Sequence, residues 1–200
     1  MSKNYSITKS STALNADSKS FVKLANIILF ISKLEHKTLH LTRLLKLLYI
    51  IDEKSISIIG SPVTNLEYKV AEKGPLADHL WFCIQNSPEL FEDFFEINFN
   101  GSTSSYSLKQ KKDANLMVLS DFEEDLIKET VNNYKGVKTE EIINDLHKKD
   151  TLWYKTKKKY NLNFENSESY TISPYLIDFT DLVKNNEIKL DAYSNYLSRK

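Results

Sequence analysis

The chain has 200 residues, 41% hydrophobic and 12% aromatic, enough apolar mass for one ordinary domain with a buried core and too much for a disordered chain. Its 27 basic and 27 acidic side chains cancel, so no net field recruits nucleic acid or an anionic membrane. Four glycines and four prolines disfavour a many-stranded sandwich or barrel, and a lone cysteine excludes both an internal disulfide and a Cys-based zinc site.

Residues 1–17 are rich in Ser, Lys and Asn without a long apolar run, and read as a flexible arm, not a secretory leader. Ser18 or Ser20 then caps a first helix in which Phe21, Leu24, Ile27, Ile28, Ile31 and Leu34 recur at helical spacing. Lys37-Thr38 interrupts it, and Thr38 is the expected cap of a second helix over residues 39–54. There Leu41, Leu44, Leu45, Leu47, Leu48, Tyr49 and Ile51 cover well over half the circumference, leaving Thr42, Arg43 and Lys46 as a narrow polar strip. A helix this apolar packs on several sides. Asp52 falls within its apolar arc, where a carboxylate must be paired, hydrogen-bonded or close to an opening.

Ser61-Pro62 signals a turn, and Leu66, Tyr68 and Val70 alternate with polar residues as in a short half-buried strand. Gly74-Pro75 breaks the chain, with Pro75 expected at the first position of a helix running to Asn86. Ser87-Pro88 opens a short helix over residues 89–95 by the same logic. Residues 95–99 and 106–109 alternate around Asn100-Gly101, the signature of a β-hairpin. Ser120 and Glu123 form a capping box for a helix to Tyr134 that Gly136 ends, and Thr139 starts another that turns Ile142, Ile143 and Leu146 inward. Lysines 155, 157, 158 and 159 suggest an exposed loop, and the apolar stretch 170–182 a strand and a short helix. The fold class expected is α+β, predominantly α: a compact helical domain, residues 18–160, with a small antiparallel β element. A C-terminal extension, residues 161–200, packs on it or trails from it.

No phosphate loop, dinucleotide fingerprint, nucleophile elbow or kinase signature is present. His36 and His40 have the spacing of a helical metal pair, but the break between them and the lack of an HExxH context count against a metal. Cys83, between Leu80, Trp81, Phe82 and Ile84, reads as a core thiol. The chain is thus expected to need no metal or cofactor and, lacking a 20-residue apolar span, to work in the reducing cytoplasm.

Three separated segments carry a resemblance. Residues 43–52, Arg-Leu-Leu-Lys-Leu-Leu-Tyr-Ile-Ile-Asp, resemble the KLxKLLYxxD helix of SocA-like Panacea-domain proteins. Residues 68–75, ending Lys73-Gly74-Pro75, are similar to that family's aromatic-x-A-x-x-x-GPV turn. Residues 146–153, with His147 and Trp153, are similar to its late TH…PW element. Leu76 and Leu152 depart from the usual valine and proline, and the turn lacks its typical tryptophan.

The resemblance implies a cytoplasmic antitoxin of a bacterial, often phage-associated, toxin–antitoxin pair that blocks a cognate toxin, encoded by the adjacent gene, through direct protein binding. It assigns Leu45, Leu48, Tyr49, Asp52, Gly74, Pro75, His147 and Trp153 to the signature scaffold, with Lys73, Asp52 and His147 as candidate partner contacts. Asp52 is expected to hold the Gly74-Pro75 turn, and the binding surface to lie partly on the hairpin and the tail. Two other readings remain: an adaptor that delivers a partner to a protease, and a hydrolase or nucleic-acid enzyme using Asp52 and His147.

Overall fold

The structure, a computed structural model, describes residues 18–36, 38–164 and 171–199. The arm expected at residues 1–17 lies outside them, as do residues 165–170 of the extension. The protein is α+β and mostly helical, with two three-stranded antiparallel sheets among the described residues.

Helix α1 (Lys19–Glu35) starts where Ser18 accepts from the Phe21 amide at 3.1 Å, and ends on His36 in the left-handed region, φ 52°. Strand β1 (Leu39–His40) follows, so α2 (Leu41–Ile59) begins two residues later than expected, with His40 rather than Thr38 at its N-cap. The helix also runs five residues further, because Ser55 and Ile56 prolong its buried face as far as Gly60 (φ +75°). Helix α2 is the centre of the molecule. It is covered by β3 (Gly74–Leu76), β5 (Ser105–Gln110), α4 (Asp121–Asn133), α5 (Thr139–Leu146), α7 (Thr180–Val183) and α8 (Glu187–Leu197). Enclosure on this scale buries Arg43 and Lys46, which a strip of water-facing residues would have exposed.

Pro75 does not start a helix. It sits in β3, which pairs with β2 (Lys69–Ala71), while α3 (Asp78–Asn86) begins three residues later. β3 is an edge strand of its sheet, where a residue with no amide proton is tolerated. β6 (Ile172–Leu176) completes that sheet, and Ile177 donates to the Tyr68 carbonyl at 2.8 Å. The expected hairpin forms as β4 (Phe95–Asn100) and β5, which also pairs with β1.

Pro88–Phe91 is a single 3-10 turn, since pairing with β5 takes the chain from Phe95 onward into a strand. The capping box at Ser120 is present. The lysine run is helical: α6 (Leu152–Lys159) is capped by Thr151, and its last turn carries lysines 157–159, where cations suit the helix dipole. Helix α8 was not foreseen. Its first residues lie so close to the end of α2 that a Cβ at Gly60 would stand 2.3 Å from the Lys189 carbonyl oxygen. Among the described residues, no helix is long and apolar enough to cross a membrane.

Candidate functional site

Three ionisable side chains of α2, all buried, each reach out of the helix to hold a neighbouring segment. Arg43 donates to Glu35 through two nitrogens, at 2.6 and 2.9 Å, and to the Tyr134 and Val137 carbonyls at 2.8 and 2.7 Å. One guanidinium thus ties α1 to the turn between α4 and α5, a use that its planar set of five donors suits.

Asp52 accepts from the Val63 amide at 2.7 Å, the Thr64 amide at 2.9 Å, the Tyr68 hydroxyl at 2.7 Å and the Thr64 hydroxyl. Those four donors fix the loop between α2 and β2, and the Ser55 hydroxyl adds a bond to the Ser61 carbonyl at 2.6 Å. The carboxyl is completely buried, and desolvation raises its pKa against the pull of these hydrogen bonds. Tyr68 is held in turn by the edge of Tyr49, ring centroids 5.2 Å apart at 84°. Asp52 therefore anchors residues 63–68, and not the Gly74-Pro75 turn expected of it.

That turn is held by Lys46, whose Nζ donates to the Pro75 carbonyl at 2.6 Å. Glu72 and Lys73 join β2 to β3, and Gly74 supplies the left-handed residue, φ +90°, that lets so short a connection close. A Cβ on Gly74 would lie 3.5 Å from His147 Nε2 and 3.6 Å from Lys46 Nζ, so both groups converge on this one residue. His147 stacks on Trp153, centroids 3.9 Å apart at 19°, and Trp153 Nε1 donates to the Ala71 carbonyl at 3.0 Å. Lys157 closes the outer side, 5.3 Å from the centre of the Trp153 ring. All three signature segments meet here.

The electrostatics of the turn are cationic. Burial brings the Lys46 ammonium down to about 7, with the charge of Lys73 adding to the effect. Burial likewise brings His147 down to about 4, helped by Lys46 and Lys157. His147 is therefore neutral at pH 7, and its buried Nε2 has no hydrogen-bond partner among the described residues.

Of the other signature residues, Leu45, Leu48 and Tyr49 are core, and Tyr49 donates to Glu53 at 2.7 Å. Lys73 stands exposed at the tip of the turn. Asp52 and His147 are not brought together. Asp52's partners are residues 63, 64 and 68, His147 lies against Gly74 and Trp153, and Lys46 is six residues, roughly 9 Å of helix, from Asp52. His36 closes α1 and His40 precedes α2, so they share no helix, and among the described residues no group of three or more His, Cys, Asp or Glu could hold a metal ion. Sequence reasoning overlooked Arg43, Lys46 and Glu35. The available signal was two basic residues in a helix too apolar to keep a wet face.

A family model described as antitoxin SocA-like, Panacea domain, matches residues 44–154, more than half of the chain. No curated protein matches, and no solved structure does. The matched span begins one residue after Arg43 and ends one residue after Trp153, and so includes Lys46, Asp52, Gly74 and His147.

Proposed function

The chain belongs to the SocA-like antitoxin family with its Panacea domain, and from that membership we propose that it neutralises a toxin, encoded beside it, by binding it directly. The observation that carries this reading is the family match over the three segments that converge on Gly74. The geometry supports binding over chemistry. Asp52 spends its carboxylate on four donors within the protein, far from His147, so the pair cannot share a proton or a reacting atom. The stapled loops form a rigid frame, and rigidity lowers the entropic cost of association. Around that frame stand apolar groups suited to a partner: Phe99 at the tip of the hairpin, 57% exposed and packed on Tyr106, and Met117, 93% exposed.

Co-expression with the adjacent reading frame tests the proposal. That frame alone should arrest growth, the present chain should restore it, and the two products should purify as one complex. A neighbour that is harmless alone and forms no complex refutes it.

A further inference from the structure

Among the described residues the two sheets have four edges, and three of them are blunted. β1 is two residues long and runs straight into α2, β3 carries Pro75, and β6 carries Pro174. Short strands and prolines are devices that keep an edge from pairing. β4 has neither. It is six residues long, contains no proline or lysine, and its one charge, Glu96, is paired with Lys109 of β5 at 3.7 Å.

The hairpin ladder decides which backbone groups that edge offers. The Lys111 amide donates to the Phe94 carbonyl at 2.9 Å, so Glu96, Asn98 and Asn100, which follow in the same register, exchange their hydrogen bonds with β5. The amides and carbonyls of Ile97 and Phe99 therefore point away from β5. Among the described residues no hydrogen bond reaches them. Phe95 is buried, whereas Ile97 is half-buried and Glu96, Asn98, Phe99 and Asn100 are exposed. The accessible edge is thus residues 96–100, and Asn98 is its midpoint.

This edge complements itself. Two copies related by a two-fold axis at Asn98 run antiparallel, with Ile97 of each opposite Phe99 of the other. Outward-facing groups then meet outward-facing groups and close four hydrogen bonds. The same register sets apolar side chains against apolar ones, Glu96 opposite Asn100, and Asn98 opposite itself, so no like charges face each other. Moving the axis to Ile97 would set Phe99 against the buried Phe95, and moving it to Phe99 would set Ile97 against Gly101 in the turn.

We propose that two copies of this chain pair through β4, joining their three-stranded sheets into one continuous antiparallel sheet about Asn98. The proposal concerns this chain alone and does not rest on the antitoxin reading.

Five residues a side make a small contact, so a dissociation constant of about 10–100 μM is expected, read by sedimentation velocity of the full chain from about 1 μM to 1 mM. Phe99→Pro removes an outward amide from each copy and none from the β4–β5 ladder, and should weaken dimerisation about tenfold or more. Asn98→Cys, treated with oxidised glutathione, should give a disulfide-linked dimer, because residues facing each other in such a pair have Cα atoms about 4.5 Å apart. Asn100→Cys should not, since its two copies would stand roughly 13 Å apart along the strands. Nor should the wild type, whose one thiol, Cys83, is buried. The cross-link decides the matter even where the proline variant loses its hairpin. A chain that stays monomeric throughout the range, a folded Phe99→Pro that dimerises as before, or equal cross-linking at positions 98 and 100 overturns the proposal. So does a chain that dimerises only after residues 1–17 are deleted, because the edge is then occupied by its own arm.

Discussion

The two halves of α2 solve one problem in opposite ways. Each buries an ionisable side chain to hold a loop, Lys46 near the start and Asp52 past the middle. Asp52 meets four donors and is fully satisfied. Among the described residues Lys46 donates to one carbonyl, and beside it His147 Nε2 has no partner. A charge with every partner in place is a structural anchor, and removing it strands those partners. A group kept short of partners is held at a cost, and removing it should cost little. The contrast extends to pH. Asp52 is raised above its ordinary 3.8, so its contribution is complete below that value and is lost as pH rises through the folded value. Lys46 and His147 are depressed to about 7 and about 4, so theirs is complete above 10.5 and 6.5 and is lost as pH falls.

The largest effect expected is at Asp52. Asp52→Ala leaves two amides and two hydroxyls without their acceptor in a dry interior and should cost about 3–5 kcal/mol, read from chemical denaturation. A loss below about 1 kcal/mol would show the loop 61–68 to be held by its apolar contacts, and the contrast with Lys46 would disappear.

Glycines at the two ends give the next test. Gly60→Ala must adopt φ +75° and place a Cβ 2.3 Å from the Lys189 backbone oxygen, so α8 has to move; about 3 kcal/mol is expected. Gly74→Ala shares the conformational cost at φ +90°, but its Cβ meets His147 and Lys46 only at ordinary contact distance. About 1–2 kcal/mol should be lost there. Equal losses at the two sites would mean that backbone conformation alone sets both.

The half that was legible in sequence is the half built on periodicity. Helix α2, the capping box at Ser120 and the hairpin around Asn100-Gly101 follow from local spacing, and each formed. So did the demand that Asp52 find partners, because a carboxylate on an apolar arc has no other outcome. The identity of those partners was not legible: Val63 and Thr64 lie in a loop with no period to place them. The spacing places Lys46 on a wet face, because one helix's pattern cannot reveal that β3 covers that face. Gly-Pro is a strong local signal for a helix start at Pro75, overridden here by pairing with β2, itself paired to a strand about a hundred residues later. Helix α8 escaped because, apart from Tyr193, it buries almost nothing.

The smallest effect carries the sharpest sign. His147→Phe keeps an aromatic ring on Trp153 and removes the unpartnered Nε2, so at pH 8 the protein should gain about 1 kcal/mol in denaturant unfolding. In the wild type, stability should fall between pH 6.5 and 4 as the unfolded chain takes up the proton that folded His147 refuses. The ring is only half-buried, so solvent screening limits that part to about 1 kcal/mol. The phenylalanine variant should lose this share of the slope and keep the rest. Destabilisation at pH 8 would mean that Nε2 is satisfied in the folded protein. If the gain appears together with weaker toxin neutralisation, the polar edge beside Gly74 is maintained against stability for the sake of binding.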